Sequence, residues 1–284
     1  MIWWSVSVAW SSPWVEAPGT VSLGVNVSSL SAQQQFAGGE AQGLIGPLCP
    51  EPIFGGQRMP FSCVNGGRFT QRQATLLTTV GLPGSVAVDV QLPVVSATFE
   101  DDIGETVALG LGDMRVTLRA GRQWGRGVIA ATLLTQIPTG PGNFQDRDVP
   151  LGTGQFDIVP GVRWGFGDAW GWVEVWQSFA IRLRNPTTGV NLGDEWRPAA
   201  LIGWTPWPTL GALGRVDALV ALPDVDSFGI RIPGRSLLQA RVAGFARPRS
   251  ARAWFEVGVA VPLAGRRWPA AVQPYATVLT WLNR

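Results

Sequence analysis

The side chains that most often carry out chemistry in enzymes are scarce in this chain. It contains no His, so the commonest general base and the commonest metal ligand are both missing. Two Cys residues are too few to favour a zinc or iron site. The paired carboxylates, Asp101 with Asp102 and Asp224 with Asp226, stand between turn residues and are typical of solvated turn formers. We therefore expect no catalytic residue, no metal site, no cofactor and no enzymatic activity.

The charge composition gives no sign of a nucleic-acid partner. All 22 basic residues are Arg, and with 20 acidic residues the net charge is only +2. Charged residues make up 15% of the chain, against about a quarter in ordinary soluble domains. A surface covered entirely by water would therefore be unusually poor in charge.

Strict alternation of apolar and polar residues marks the elements that would position any functional side chain. In Ser85–Val95, SVAVDVQLPVV, one face carries four Val and a Leu, whereas the other includes Asp89 and Gln91. In a soluble sandwich the polar face would look outward, and the apolar face would need a second apolar layer. In a membrane barrel the same pattern is reversed, with lipid outside and a polar lumen inside.

About twelve such segments follow one another, and no run of about 18 apolar residues predicts a transmembrane helix. The connections alternate in length: the long set is 36–69, 99–105, 138–152, 184–195, 223–235 and 263–270, and the short set is 82–84, 121–126, 167–168, 206–212 and 247–250. In an up-and-down meander this alternation places all long loops at one end, as in bacterial outer-membrane barrels. We predict an all-β chain, a single up-and-down antiparallel transmembrane β-barrel of about twelve strands over residues 19–284, with 36–69 as a long extracellular loop.

The polar face of these strands supplies a set of candidate lumen residues: Asp89, Arg115, Arg119, Asp157, Arg163, Glu174, Arg182, Arg215, Asp217, Arg241, Arg252 and Glu256. So many charges in a dry core would be very costly, so we expect them to meet water or to pair. They line a narrow passage, or they pair across the lumen and hold the barrel shut. Twelve strands fall between the eight that side chains nearly fill and the larger numbers that leave an open channel.

Tryptophan favours the membrane barrel over the soluble sandwich. Eight Trp residues cluster near the short turns or the adjacent terminus, and we expect them at a membrane interface: Trp124, Trp164, Trp170, Trp172, Trp204, Trp207, Trp254 and Trp281. The alternative is that these indoles simply pack in a core near the turns.

The first long loop and the N-terminus leave alternatives open. Cys49 and Cys63 lie in a turn-rich stretch, where they form a disulfide in an oxidising compartment or remain two separate thiols. The loop either folds into the barrel mouth as a constriction or stays exposed. Residues 1–18 resemble a signal-peptide remnant without its basic start, or they form an N-terminal extension.

A short motif resembles a family of bacterial outer-membrane proteins named for the meta-pathway of phenol degradation. The matching residues are Pro138, Thr139 and Gly140, then Gly152, Thr153, Gly154 and Asp157, with Gly112 and Asp113 as a further likeness. The resemblance implies a barrel in the outer membrane of a Gram-negative bacterium that transports small, often aromatic, compounds and is inserted by the outer-membrane assembly machinery. The chain departs from the usual aromatic final residue, because Trp281 is followed by three further residues.

The functional expectation is a porin-like channel for passive diffusion of small solutes, aromatic or amphipathic ones among them. Its partners would be the lipid bilayer, the solute and the assembly machinery, and the sequence is silent on oligomeric state. One alternative is a non-conducting barrel that anchors binding loops at the surface. Another is a soluble all-β binding module, which would purify without detergent.

Overall fold

The structure, a computed structural model, describes residues 14–37, 40–43, 53–54, 57–58, 67–101, 104–141, 149–186, 189–225, 229, 231–248 and 252–282. In these residues the regular structure consists of strands: β1 (Val21–Ala32), β2 (Gln34–Ala37), β3 (Glu40–Gly43), β4 (Ile53–Phe54), β5 (Gln57–Arg58), β6 (Arg68–Leu82), β7 (Val86–Asp101), β8 (Gly104–Leu111), β9 (Met114–Trp124), β10 (Gly127–Ile137), β11 (Asp157–Asp168), β12 (Gly171–Arg182), β13 (Glu195–Trp207), β14 (Leu210–Ala221), β15 (Asp224–Val225), β16 (Arg231–Ile232), β17 (Ser236–Ala246), β18 (Ala253–Arg266), β19 (Trp268–Pro269) and β20 (Gln273–Trp281).

The main sheet is antiparallel and closes on itself. Strand β1 pairs with β20 on one side and with β6 on the other, and the order then continues around the ring back to the β6–β7 pair. Strands β8 and β9 pair with successive parts of β7 and together occupy one position in the ring. The result is the predicted closed barrel of twelve antiparallel strands. We call the end with the longer connections the loop end and the opposite end the turn end.

Side chains alternate around the whole barrel between a buried interior and an exposed apolar exterior. In β7, Asp89 and Gln91 are buried, whereas Val94 on the opposite face is exposed. Outside, apolar side chains are exposed in nearly every barrel strand, among them Leu76, Leu118, Ile129, Val162, Val175, Ile202, Val216, Val242 and Val257. An apolar exterior around a charged interior is the pattern of a membrane barrel. The chain is therefore a β-barrel of the bacterial outer membrane.

The barrel strands contain six prolines, and four of those that interrupt the apolar–polar alternation are Pro93, Pro160, Pro198 and Pro274, each of which stands where a ladder is interrupted or ends. Pro93 lies where β7 changes its partner from β9 to β8. Pro160 and Pro198 fall in gaps of the β11–β12 and β13–β14 pairings, and Pro274 lies just beyond the end of the β1–β20 pairing. At these positions the missing N–H removes no ladder hydrogen bond, which is where proline is tolerated in sheets.

The first long loop is described only in part. Strand β2 leaves the barrel after β1 and pairs with β3 and, across the loop end, with β19. Strands β4 and β5 form a separate two-stranded pair. Cys49 and Cys63 lie outside the described residues, so the predicted disulfide stays a prediction.

Candidate functional site in the barrel lumen

Eleven of the twelve candidate lumen residues lie on the inner face of the barrel. Nine are buried, and Arg163 and Asp217 are half-buried beside the central space. Arg252 departs from the expectation: it is exposed and precedes β18, which begins at Ala253. Its alternation with Trp254 and Glu256 predicted an inward side chain, but the strand that would impose this alternation starts one residue later.

An ion-pair cluster occupies the turn end of the lumen. The Arg119 guanidinium donates Nε to Asp89 Oδ2 at 2.8 Å and Nη2 to Asp89 Oδ1 at 3.0 Å. Thr79 Oγ1 donates to Asp89 Oδ1 at 2.6 Å. Arg119 also holds the segment before β1, donating to the Trp14 carbonyl at 2.9 Å and to Glu16 Oε2 at 2.8 Å. Residues 14–18 therefore lie against the inside of the barrel, and the remainder of 1–18 is outside the described residues.

Burial raises the pKa of Glu16 above its ordinary value of 4.5, although the positive charge of Arg119 opposes this shift.

An aromatic plug, which we define as Trp172, Phe245, Trp254 and Tyr275, fills part of the turn-end half of the lumen. The rings of Phe245 and Trp254 stack at a centroid distance of 4.1 Å, and Trp172 lies 5.6 Å from Phe245 and 6.3 Å from Trp254. Gly203 makes room for this packing, because a Cβ there would come within 2.4 Å of the Trp172 ring. The plug narrows the lumen at this end.

Two plug residues correct the prediction of an interfacial Trp belt. Trp172 and Trp254 lie inside, because each is two residues from an inward acid, Glu174 and Glu256, and so shares its face. Five expected interfacial Trp side chains are exposed: Trp124, Trp164, Trp170, Trp204 and Trp207. Trp281 is half-buried and pairs with the buried Ser22, which places it on the inner face.

A central cavity of about 150 Å³ lies above the plug, between strands on opposite sides of the barrel. Its charged and aromatic lining consists of Arg115, Arg163, Arg197, Arg215, Arg241, Asp217, Trp176 and Trp268, and its other lining includes Gln91, Thr117, Thr132, Leu134, Val159, Ser178, Leu219, Leu237, Gln239 and Gln273. Five guanidinium groups thus face this space beside one carboxylate. The cavity is the described part of the lumen that is best suited to hold a solute.

The arginines around the cavity are positioned by one carboxylate and one indole. Asp217 forms an ion pair with Arg215 and another with Arg241, whose Nε lies 3.1 Å from Asp217 Oδ2. The guanidinium carbon of Arg215 lies 4.5 Å from the centre of the Trp176 ring, and that of Arg163 lies 5.3 Å from it. Such cation–π contacts hold the guanidinium groups over the indole.

A second charge network lies toward the loop end. Glu195 Oε1 forms ion pairs of 3.0 Å with both Arg182 and Arg235, and Glu195 Oε2 accepts from Arg197 Nε at 2.7 Å. Arg182 also lies 3.5 Å from Asp157. Sequence reasoning missed Glu195, Arg197 and Arg235. The alternation of Glu195 and Arg197 with Leu201 could have identified the first two, but Pro198 obscured that strand.

The residues that carried the family resemblance converge on one carboxylate. Asp113 Oδ2 accepts from the Thr153 backbone N–H at 2.7 Å and from the Thr153 hydroxyl at 2.9 Å, and Gln136 Nε2 donates to it at 3.2 Å. Gly140 N donates to Asp113 Oδ1 at 3.4 Å. Thr139 adds a bond from its hydroxyl to the Gly112 carbonyl at 2.6 Å. The three motif pieces therefore form one structural brace.

Close backbone packing within this brace explains its glycines. A Cβ on Gly140 would lie 2.8 Å from the Leu111 carbonyl oxygen, and one on Gly152 would lie 2.7 Å from the Gly140 carbonyl oxygen. Neither position has room for a side chain. The motif serves to tie the β10–β11 loop to the break between β8 and β9.

Asp224 also departs from expectation, because it is buried rather than a solvated turn former. Its Oδ1 accepts from Gly193 N at 2.9 Å, and its Oδ2 accepts from Arg267 at 2.8 Å. It connects three loops at the loop end. Asp102 and Asp226 lie outside the described residues.

An apolar layer covers the lumen at the loop end, above the charge network. Its buried members come from five barrel strands and three loop positions: Leu30, Ala32, Phe69, Val95, Ala97, Phe99, Val149, Leu151, Leu219, Leu237 and Trp268. Trp268 also lines the central cavity, so the cavity has a roof of apolar side chains. Among the described residues, this apolar layer lies between the arginines of the cavity and the loop end.

Within the described residues, no group of His, Cys, Asp and Glu side chains is placed to hold a metal ion. No helix among those residues is long and apolar enough to cross a membrane.

Comparison with known proteins supports the fold. No protein-family model matches the chain, and no curated protein matches it. An outer-membrane channel from Pseudomonas putida F1 superposes with a TM-score of 0.71 at 11% identity, covering 95% of this chain and 98% of the other. The translocator domain of the autotransporter NalP from Neisseria meningitidis gives a TM-score of 0.52 at 8% identity, covering 93% and 89%. The chain thus shares the fold of bacterial outer-membrane β-barrels.

Proposed function

We propose that this protein is an outer-membrane channel through which small solutes diffuse passively. The observation that carries the proposal is the central cavity, which lies inside the barrel and is lined by five Arg and six uncharged polar side chains. A folded barrel that served only as an anchor would gain nothing from a solvent-sized space surrounded by charge, because such charges cost free energy when buried.

The lumen formed by the described residues is narrow in this structure. The aromatic plug and residues 14–18 constrict the turn end, and the apolar layer covers the loop end. Passage requires side chains at both ends to move aside, as expected of a barrel between eight strands and the open porins. The chemistry is diffusion along a gradient, without a catalytic step or a cofactor.

The similarity to the Pseudomonas putida F1 outer-membrane channel supports this proposal, because the superposition of the two structures covers nearly the whole of both chains. At 11% identity the similarity extends only to the fold. The chemistry of the lumen therefore follows from the residues of this chain.

A second candidate is a non-conducting barrel that anchors surface loops. It is favoured by the extensive pairing of inward charges, such as Arg119 with Asp89 and Arg182 with Glu195. Both pairs join neighbouring strands of the wall, and they neutralise inward charges that a channel would otherwise present to a solute.

Swelling of proteoliposomes separates the two functions. Liposomes containing the refolded barrel are diluted into isosmotic solutions of neutral solutes of increasing size, from glycerol to a trisaccharide. A channel gives swelling rates that exceed those of protein-free liposomes and decline with solute size. An anchor gives rates equal to those of protein-free liposomes, even when folding and insertion have been verified by heat-dependent gel mobility.

A further inference from the structure

The charges that line the central cavity are unevenly distributed. Five of its lining residues are Arg, and Asp217 is the one carboxylate in that lining. Glu195, which pairs with Arg197, lies on the loop side of the cavity and outside its lining. The lining of the cavity therefore carries more guanidinium groups than carboxylates.

The arginines are held in orientations suited to an anion. Asp217 anchors Arg215 and Arg241 at the same carboxylate, and Trp176 supports Arg163 and Arg215 from its ring face. A guanidinium group fixed in this way loses little conformational entropy when it binds, and its planar N–H groups match the geometry of a carboxylate. Three arginines thus converge on the cavity with prearranged donors.

Apolar side chains line the cavity further toward the loop end, on the strands that carry Arg215 and Arg241. Leu219, Leu237 and Trp268 line it and belong to the apolar layer at the loop end. Its volume of about 150 Å³ equals that of an engineered protein cavity that binds a single benzene molecule. A cavity that combines arginine side chains with apolar side chains favours a ligand that has an anionic group at one end and a small apolar body at the other.

We propose that the central cavity is a binding site for a small organic carboxylate whose apolar body is no larger than one six-membered ring. The carboxylate faces Arg163, Arg215 and Arg241, and the apolar body lies under Trp268 and Leu237. This inference rests on the proposed channel function, and it identifies the class of solute that binds in the lumen during passage. Neutral and cationic molecules of the same shape bind more weakly, because they form no charge-assisted hydrogen bonds of the carboxylate type with these guanidinium groups.

Isothermal titration of the detergent-solubilised full chain tests the site with three probes of matched shape: benzoate, benzyl alcohol and benzylammonium. We expect saturable binding of benzoate, with an affinity at least about tenfold above that for benzyl alcohol, as the loss of a charge-assisted hydrogen bond implies. Equal binding of benzoate and benzyl alcohol would overturn carboxylate recognition.

Variants assign the binding to the cavity. Arg163→Gln is expected to weaken benzoate binding about tenfold with little change for benzyl alcohol, because one guanidinium donor is lost. The matched control is Arg126→Gln, which removes an exposed arginine paired with Asp168 at a turn. Should Arg163→Gln fail to fold, Trp268→Ala in the short strand β19 removes an apolar side chain above the cavity and is expected to weaken both benzoate and benzyl alcohol binding. Unchanged benzoate binding in whichever variant folds would overturn the site.

Conductance of the same preparation in potassium chloride keeps the two proposals distinguishable. A conducting wild type that binds no benzoate contradicts the carboxylate site and leaves the channel intact. A silent wild type that binds benzoate with the predicted Arg163 dependence contradicts the channel and supports the site.

Discussion

The Asp113 carboxylate accepts both the backbone N–H and the hydroxyl of Thr153, although 40 residues separate the two in sequence. Both bonds converge on the same oxygen, at 2.7 Å and 2.9 Å. This contact closes the β10–β11 loop against the interrupted β8–β9 strand. It shows that a motif resembling one from a transporter family has a structural role in this chain.

The brace predicts a measurable coupling between these two residues. Asp113→Asn and Thr153→Val should each destabilise the barrel, and the double variant should lose less than the sum, with a coupling free energy of about 1 to 3 kcal/mol. Urea unfolding in detergent micelles, followed by tryptophan fluorescence, measures it. Asp168→Asn, at an exposed turn, is the control, and additive losses at Asp113 and Thr153 would show that the bond is not cooperative.

The ion pair between Arg119 and Asp89 at the turn end predicts a large loss of unfolding free energy when one partner is removed. Arg119→Gln leaves Asp89 and Glu16 without their shared cation and should cost about 3 to 5 kcal/mol of unfolding free energy. Adding Asp89→Asn should restore part of the loss, because the buried charge disappears with its partner. The same urea titration measures both variants. A double variant that is no more stable than Arg119→Gln alone would contradict the pairing.

The raised pKa of Glu16 predicts a pH dependence. The folded state binds the proton of this carboxyl group more tightly than the unfolded chain does, so ionisation favours unfolding. The contribution of Glu16 to the free energy of unfolding should therefore fall as the pH rises above its ordinary pKa of 4.5. Unfolding of the wild type and Glu16→Gln between pH 4 and pH 8, in about one-unit steps, measures the difference. A difference that grows in favour of the wild type with rising pH would refute the shift.

The aromatic plug predicts a change in conductance. Trp254→Ala removes an indole stacked on Phe245 and should raise single-channel conductance on the order of twofold, because a constriction governs the flow. Trp204→Ala is the matched control, since that indole is exposed on the outer face. Equal conductance in all three proteins would place the constriction elsewhere.

The apolar exterior predicts that a charged substitution on the outer face destabilises the barrel much more than a neutral substitution of similar shape at the same position. Val242→Arg places a charge on an exposed outer position of β17 and should cost about 2 to 4 kcal/mol in a bilayer if the position lies near its midplane. Val242→Thr keeps the shape without the charge and should have a much smaller effect. Unfolding of the two variants in lipid vesicles measures the cost, and equal stabilities would argue against lipid contact there.

Alternation and connection length were enough to predict most of the fold from the sequence. Asp89 and Val94 occupy opposite faces as expected, and the barrel closes as predicted. One predicted long connection, 99–105, is wrong, because β7 continues to Asp101 and β8 begins at Gly104. Both signals are local, because the side chains of a strand alternate whatever its partners are. The prolines blurred the alternation at Pro160 and Pro198, where the ladders have gaps.

The contacts within the lumen were harder to predict, because they depend on the register between neighbouring strands and on where the loop residues fold. Sequence alone gave no indication that Arg182, Arg197 and Arg235 meet at Glu195. Trp172 and Trp254 were assigned to the interface from their closeness to turns, although their alternation with Glu174 and Glu256 placed them inside. Parity was the better guide where the two signals disagreed.

Ion selectivity in a planar lipid bilayer tests most directly whether solutes pass through an arginine-lined lumen. In a salt gradient the wild type should show discrete conductance steps with a reversal potential on the anion-selective side. Arg163→Gln should move that potential toward cation selectivity, and Arg126→Gln should leave it unchanged. Bilayers that stay silent after verified insertion, or a reversal potential that Arg163→Gln does not move, would contradict the account.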